Sequence, residues 1–214
     1  MWSSCRMPSP LIHIACGLAI GRAAGRNVEA FPACPRPSCG GARAARGLPI
    51  VAAVAASLLP DADFVPGLVY GNARAWHNQA SHSLFVAAGF ALAFGLVARA
   101  SRRENFGRAA ALALAAYGLH LLLDVMTVGR GERILWPFSA ARFQTPFLLF
   151  RGARWDHGLW SVEHLKTLAN EAAVLAAAAG GWWAWLILRL AALPADAPAV
   201  GACAPRRPAP DSRP

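Results

Sequence analysis

The residues from Arg108 to Val128 form an apolar run long enough to cross a bilayer, and this run carries His120 and Asp124. Side chains four residues apart lie on the same face of an α-helix. An aspartate near the bilayer centre carries a penalty of roughly 2.5–3.5 kcal/mol on insertion scales. Because ionisable side chains at this depth usually mark function, the pair predicts a functional site within or beside a membrane helix.

The composition also favours a membrane protein. Hydrophobic residues make up 56% of the chain and charged residues 15%, against about 45–50% and about 25% in soluble domains. Three apolar runs are predicted to span: Ser83–Ala100, Arg108–Val128 and Leu168–Leu193. Leu11–Gly21 and Leu48–Leu59 are shorter than the roughly 20 residues that a spanning helix needs. The predicted fold is therefore an all-α, integral membrane helical bundle with about three spanning helices and one or two short half-helices.

Composition also divides the chain. Residues 1–193 are predicted to form a single membrane-embedded domain. Within it, residues 22–47 are rich in Gly, Pro, Ala and Arg and are predicted to be a basic loop insert. Residues 194–214 are rich in Pro and Ala, which predicts a disordered tail.

The net charge of +10 resides mainly in arginines between the apolar runs. This pattern predicts anionic head groups of membrane lipids as partners. Nucleic acid is not expected, because aromatic residues do not interleave with the basic ones. Among five cysteines, Cys34 and Cys39 flank Pro-Arg-Pro-Ser without a second Cys or His pair nearby. They are interpreted as free thiols in a loop.

A short basic turn, Ser101–Gly107, joins two of the spans into an antiparallel hairpin. The start of the first span must then lie beside the end of the second, which brings His77 and His82 close to the His120–Asp124 pair. Pro60 disfavours helical geometry at the residue before it, so Asp61 and Asp63 are predicted to lie in a turn on the same side of the membrane. Six potential ligands converge, and His13 becomes a seventh if the first helix starts there.

This mixture of histidines and aspartates is typical of a site for a divalent transition metal. Imidazole and carboxylate together suit zinc best, with manganese or iron as alternatives. One to three ions are expected, and two adjacent ions could share an aspartate and activate a water. The predicted metal ligands are His13, Asp61, His77, His82, His120 and Asp124. Asp63 is predicted to act in the site as a further ligand or as an orienting partner of a histidine.

Simpler interpretations stay open at this stage. His120 and Asp124 could be a buried hydrogen-bonded pair, Asp61 and Asp63 an ordinary turn, and His77 and His82 interfacial side chains. Glu163 is a candidate general acid or base; the alternative is a solvated loop that also contains Asp156, His157 and His164. Glu171 is interpreted as an acid that favours the helix dipole.

Four ordered motifs resemble the YdjM-type family of bacterial inner-membrane metal-dependent hydrolases: His13-Ile-Ala-Cys-Gly17, Leu59-Pro-Asp-Ala-Asp63, His77-Asn-Gln-Ala-Ser-His82-Ser83, and His120-Leu-Leu-Leu-Asp124-Val-Met-Thr127 with Trp136-Pro137-Phe138 after it. The third motif departs from the family pattern, because Asn78, Gln79 and Ser81 replace Arg, Gly and Thr. The metal ligands are retained, whereas an arginine for phosphate is absent at position 78; Arg74 is a nearby candidate to replace it.

A weaker likeness reaches the zinc-dependent phospholipase C and single-strand nuclease superfamily, whose sites also combine an early histidine with His-x-x-x-Asp on a helix. The two resemblances imply a membrane-bound metal-dependent hydrolase in the bacterial inner membrane, crossing it several times. Its substrate is expected to be small or lipid-like, such as a phosphoester or a lipid head group. The alternatives are a metal-ion or proton carrier and a scaffold stabilised by a structural metal.

Overall fold

Helices make up nearly all the regular structure in a computed structural model of the chain, which describes residues 6–26, 39–70, 76–101, 105–154 and 161–191. The helices are α1 (Pro10–Arg26), α2 (Cys39–Leu58), α3 (Phe64–Val69), α4 (Leu84–Ala100), α5 (Phe106–Val125) and α6 (Val162–Ala191). Two 3₁₀ turns, Pro60–Asp63 and Ala80–His82, precede α3 and α4. The prediction of an all-α fold is confirmed, with one addition: β1 (Arg6–Met7) pairs antiparallel with β2 (Ala153–Arg154).

Helix α5 lies at the centre of the packing. Its Leu123 packs with Ile12 of α1, its Ala116 with Ala53 and Ala56 of α2, and its Tyr117 and Leu121 with Ala87 of α4. Because three helices contact it, α5 buries nine of its residues, His120 and Asp124 among them. The polar pair therefore faces the protein interior and is shielded from lipid.

Helices α1 and α2 approach each other through two glycines. A Cβ at Gly17 would lie 2.8 Å from the Cα of Val54, and a Cβ at Gly21 would lie 2.5 Å from the Cα of Ile50. Small residues four apart on one helix face permit this backbone contact in a membrane protein. The close contact holds α1 at a fixed depth against α2, so His13 is placed beside the end of α2.

The membrane spans differ in part from those predicted. In the described residues, α5 and the segment Val162–Arg189 are long and apolar enough to cross a membrane, and the bent pair Leu48–Leu58 and Pro60–Pro66 adds a third span if it is counted as one. Helix α4, predicted as a clear span, has 17 residues and falls among the shorter apolar helices with Pro10–Gly25. The expectation of about three spans holds, but with the bent pair as the third.

The prediction that residues 22–47 form a loop is wrong at both ends. Helix α1 continues to Arg26, and α2 begins at Cys39 with Pro49 inside it. Alanine and arginine have high helix propensity, which outweighs the glycines at these positions. The rest of that segment lies outside the described residues. So do several other residues for which the sequence made a prediction: Cys34, Arg74, Asp156, His157 and the tail 194–214.

Capping side chains define the two helices of the hairpin. Ser83 accepts a hydrogen bond from the backbone N–H of Val86 at the start of α4. Asn105 accepts from Gly107 and Arg108 at the start of α5. Serine and asparagine are preferred at this position because their oxygen satisfies N–H groups that have no partner in the helix.

The chain divides within α6 into two packing units, residues 1–174 and 175–214. The first holds all the predicted metal ligands. In the second, the rings of Trp182 and Trp185 are tilted by 32° with centroids 4.9 Å apart, and the guanidinium of Arg189 lies 4.7 Å from the centroid of Trp185. The single domain over 1–193 stays a prediction, as does an interfacial role for these tryptophans.

Candidate metal centre

The predicted ligands come together at the ends of four segments in the first unit. His13 lies in the second turn of α1, Asp61 and Asp63 in the 3₁₀ turn after α2, and His77 and His82 before α4. His120 and Asp124 come from the last two turns of α5. The convergence that the hairpin predicts is thus present.

Four donors form the core of the cluster: Asp61, His82, His120 and Asp124. The Nε2 atoms of His82 and His120 lie 3.3 Å apart, and each is 3.1 Å from Oδ2 of Asp124. Each is also 3.6 Å from Oδ1 of Asp61. Five of the six edges of this four-atom figure therefore measure 3.1–3.6 Å.

These edges fit a tetrahedral metal site. Zinc binds imidazole nitrogen and carboxylate oxygen at about 2.0–2.2 Å, which sets the donors of a tetrahedron about 3.3–3.6 Å apart. Three of the five measured distances fall in that range, and the two to Oδ2 of Asp124 are shorter, at 3.1 Å. The cluster could therefore hold a divalent ion with little movement of the side chains.

The ring orientation of His120 is set by a backbone carbonyl. Its Nδ1 donates a hydrogen bond to the carbonyl oxygen of Ser57, 2.7 Å away. A carbonyl only accepts, so the proton is on Nδ1 and the lone pair is on Nε2, which faces the cluster. Ser57 also donates from Oγ to the carbonyl oxygen of His13 at 2.8 Å, and so links α1, α2 and the central helix.

Asp63 orients two further histidines. One of its oxygens lies 2.8 Å from Nδ1 of His77, and the other lies 3.3 Å from Nδ1 of His82. The first distance is that of a hydrogen bond, although Asp63, His77 and His82 also form a second group whose donor atoms lie close enough together to share an ion. Both rings therefore turn Nε2 away from Asp63, and Nε2 of His77 comes within 3.9 Å of Oδ1 of Asp61. Of the two predicted roles for Asp63, the geometry favours the orienting partner.

His13 faces the other oxygen of Asp124. Its ring stacks on His120 with centroids 3.9 Å apart, and its Nε2 lies 3.5 Å from Oδ1 of Asp124. Neither ring nitrogen of His13 has a hydrogen-bond partner, and neither does either oxygen of Asp124 or Nε2 of His77. Buried polar atoms are normally satisfied, so this group of unpaired nitrogen and oxygen atoms could receive a metal ion.

Burial and charge support the same conclusion. The four histidine side chains and that of Asp124 are at most 1% exposed, whereas Asp61 is 21% and Asp63 14% exposed. The site therefore opens beside the Pro60–Asp63 turn. Burial lowers the pKa of His82, but Asp124, Asp61 and Asp63 outweigh it and raise that pKa well above its usual value. The cluster is thus an environment that attracts positive charge.

The structure does not bring Glu163 to the cluster. Glu163 is in the first turn of α6, where Lys166 donates a hydrogen bond to its carboxylate at 2.6 Å. It belongs to neither of the two groups of described residues that could hold a metal ion. Its role as a general acid or base stays a prediction without geometric support. Glu171, interpreted from sequence as a dipole partner, is instead buried and accepts from the N–H and hydroxyl of Ser9, just before α1.

Two residues beside the cluster have no signal in the sequence. Ser57 is one of several small residues in an apolar run, and its role depends on a carbonyl that no side-chain pattern reveals. Glu132 lies in the irregular segment after α5, is 3% exposed, and accepts a hydrogen bond from Nδ2 of Asn78. Its role becomes visible only in the folded protein, where the segment after α5 packs beside the turn at His77 and Asn78.

Burial raises the pKa of Glu132 to about 8, with Asp124 acting in the same direction, while His82, Arg142 and Arg130 oppose it. The folded state then keeps a proton that the unfolded chain loses near its ordinary pKa of 4.5. In chelator-treated protein, the free energy of unfolding should therefore fall by a few kcal/mol as pH rises from about 5 to about 8.5.

Chemical unfolding across this pH range checks the prediction. Glu132→Gln, which cannot lose a proton, should make the profile shallower and be more stable than wild type above pH 8, while the raised pKa of His82 leaves a smaller fall. An unchanged slope in Glu132→Gln would show that another group causes the pH dependence.

A sequence model of the YdjM inner membrane protein family matches residues 7–196. Inner membrane protein YbcI of Escherichia coli (strain K12) is 32% identical over 151 residues, which cover 69% of this chain and 78% of that protein. No solved structure matches the chain. The family match includes every residue of the cluster.

Proposed function

This chain belongs to the YdjM inner membrane protein family, and from its buried histidine–aspartate cluster we propose that it is a membrane-bound, metal-dependent hydrolase. The protein is an inner membrane protein, as its family and its relative in Escherichia coli are. Asp61, His82, His120 and Asp124 hold the ion in this proposal, with His77 and His13 completing the coordination or binding a second ion.

One observation carries the proposal. The Nε2 atoms of His82 and His120 face Asp61 and Asp124, and both oxygens of the buried Asp124 lack a hydrogen-bond donor. A merely structural polar cluster would pair these atoms with one another, because an unpaired buried polar group costs about 1–3 kcal/mol. The arrangement suits a cation better than a hydrogen-bonded network.

The donor set favours zinc. Imidazole nitrogens suit zinc and carboxylates add negative charge, while manganese and iron fit the same ligands less selectively. Asp124 presents one oxygen to His82 and His120 and the other to His13. Asp124 would therefore offer one oxygen to each of two ions if the site held two.

A bound divalent ion supplies Lewis acidity that activates water near neutral pH and polarises a phosphoryl oxygen. The chain's own residues fix the geometry. Asp63 and the Ser57 carbonyl orient three imidazoles, and the packing around α5 buries the histidines and Asp124 while Asp61 and Asp63 stay partly exposed. Asp61, the most exposed of the ligands, lies where a substrate would enter.

Apolar side chains beside this opening favour a lipid-like substrate with a polar head group. Val65, Val69 and Tyr70 follow the aspartate turn and are mostly exposed, and Trp76 stacks on Tyr70 with centroids 5.9 Å apart. Tyrosine and tryptophan are enriched at the membrane–water interface. The phosphoester head of such a lipid would reach Asp61 while its chains contact these side chains.

Hydrolysis assays on the purified protein test the function. Wild type with zinc should release phosphate from phosphatidic acid in mixed micelles or cleave a phosphodiester lipid, and Asp124→Asn should lose at least about 100-fold of that rate, as expected for loss of a metal ligand.

Trp76→Ala should lower the rate on the lipid several-fold but leave the rate on p-nitrophenyl phosphate unchanged. Leu92→Ala, an exposed position in α4, is the matched control.

Metal flux in proteoliposomes without hydrolysis of any phosphoester would overturn this proposal in favour of a carrier. Zinc-dependent folding with neither activity would favour a structural metal.

A further inference from the structure

The segment after α5 makes three hydrogen bonds with His77 and Asn78, two to their backbone carbonyls and one to the side chain of Asn78. Arg130 donates to the carbonyl oxygen of His77 at 2.6 Å, and Arg142 donates to that of Asn78 at 3.3 Å. The side-chain amide of Asn78 donates to Oε1 of Glu132. These four residues, Asn78, Arg130, Glu132 and Arg142, are called the clasp below.

The clasp is rigid at its centre. Glu132 exchanges two backbone hydrogen bonds with Phe143, of 2.9 and 2.8 Å, so its carboxyl is held on a fixed backbone. Asn78 adopts φ of 59°, a left-handed conformation that asparagine tolerates better than most residues. Asn78 is 1% and Glu132 3% exposed. The bond between them is therefore shielded from water and has one geometry.

The position of His77 depends on these hydrogen bonds, because His77 directly precedes Asn78 and lies outside any long helix. Its ring receives orientation from Asp63 at Nδ1, but the position of its backbone is set by the clasp. Nε2 of His77 is 3.9 Å from Oδ1 of Asp61 and has no hydrogen-bond partner. A small movement at residues 77–78 would withdraw this nitrogen from the ion.

We propose that Asn78 and Glu132 are positioning residues for the metal centre: their buried hydrogen bond places His77 as a ligand and so raises the affinity for the ion. The inference rests on the proposed metal site. It adds a specific role for Glu132, which contacts Asn78 and acts on the ion only through the histidine beside it.

Zinc affinity in a double-mutant cycle tests the proposal. Asn78→Gly removes the donor and keeps the left-handed backbone, and Glu132→Ala removes the acceptor. Each should weaken zinc binding roughly 10- to 100-fold, as losing a partner that orients a ligand does. The double variant should be no weaker than either single one, because both remove the same bond. Affinities are measured by competition with a chromophoric chelator.

Two further measurements separate positioning from general destabilisation. Glu132→Gln keeps an oxygen acceptor for Asn78 and should bind zinc within about three-fold of wild type, in line with rescue by a conservative change. Cobalt-loaded Asn78→Gly should show an altered d–d spectrum, whereas Glu132→Gln should retain the wild-type spectrum. Ala140→Gly, exposed in the segment that carries the clasp, controls for added backbone freedom.

The outcomes are distinct. Unchanged zinc affinity in both single variants, or losses that multiply in the double variant, would overturn this inference while leaving the metal site intact. A wild-type protein that binds no zinc would overturn the proposed function instead. If Glu132→Ala does not fold, Asn78→Gly and Glu132→Gln decide the matter, since the first must lose affinity and the second must keep it.

Discussion

Replacing Asp124 with asparagine should weaken zinc binding by roughly 100-fold or more, because a four-ligand zinc site is worth about 10–16 kcal/mol and each ligand a share of about 2.5–4 kcal/mol. Both oxygens of Asp124 face histidines, Oδ2 toward His82 and His120 and Oδ1 toward His13. The variant keeps the shape of the side chain but removes its charge and one acceptor. Isothermal titration of metal-free protein measures the effect.

Glu171→Gln is the matched control for this change. Glu171 is another buried carboxylate of the same packing unit, but it accepts hydrogen bonds from Ser9 and belongs to neither group of described residues that could hold a metal ion. Its zinc affinity should stay within about three-fold of wild type, since its charge does not face the ion. Equal losses in the two variants would mean that buried negative charge in general, and not coordination by Asp124, governs zinc binding.

Placing a methyl group at Gly21 should destabilise the protein by about 3 kcal/mol, at the upper end of the effect of overpacking. The added Cβ would lie 2.5 Å from the Cα of Ile50 and 3.0 Å from the carbonyl oxygen of Pro49. Both are backbone atoms of α2, so no side chain can rotate away and the two helices must separate. Gly17→Ala should act similarly, because its Cβ would meet Val54 at 2.8 Å.

Reversible unfolding in mixed micelles measures this loss, which corresponds to roughly 6–12 °C in Tm for a chain of this size. Gly89→Ala is the control, because nothing lies within 4 Å of a Cβ at that position in α4. It should be neutral or stabilising by up to about 1 kcal/mol through helix propensity. A Gly21→Ala variant as stable as Gly89→Ala would contradict the close contact of α1 and α2.

Separation of α1 from α2 should also affect the metal centre. His13 lies one turn before Gly17 on α1, and Ser57 of α2 contacts both His13 and His120. A Gly17→Ala protein that still folds should therefore bind zinc more weakly than Gly89→Ala.

The cluster could be predicted from sequence because its ligands sit next to features with strong local signals. His120 and Asp124 have helical spacing in an apolar run, Pro60 marks the end of a helix before Asp61, and a short turn forces the hairpin. These constraints act over a few residues, or along one hairpin, so they can be recognised from the amino-acid sequence. They place six donors on one side of the membrane before any distance is known.

The parts that could not be predicted depend on contacts between distant segments. The carbonyl of Ser57 selects the tautomer of His120, and Asp63 divides its two oxygens between His77 and His82. Glu132 reaches Asn78 across 54 residues of chain. No periodicity encodes such contacts, since each depends on how an irregular segment returns to the bundle.

Local composition also gave a wrong prediction for the end of α1 and the start of α2. The segment 22–47 contains glycine and proline, which predict a loop, yet alanine and arginine extend α1 to Arg26 and start α2 at Cys39. Helix α4 has 17 residues and is a shorter apolar helix than α5, so its predicted span stays a prediction.

X-ray absorption spectroscopy of the zinc-loaded protein tests the central claim most directly, because it reports the atoms bound to the ion. The predicted result is about four nitrogen or oxygen neighbours at about 2.0–2.1 Å, with outer-shell scattering from at least two imidazoles and no sulfur. Asp124→Asn should lose this signal together with the metal. A zinc–sulfur distance of about 2.3 Å, which would place the ion at the cysteines, or a wild-type protein that holds no stoichiometric zinc would contradict the histidine–aspartate centre.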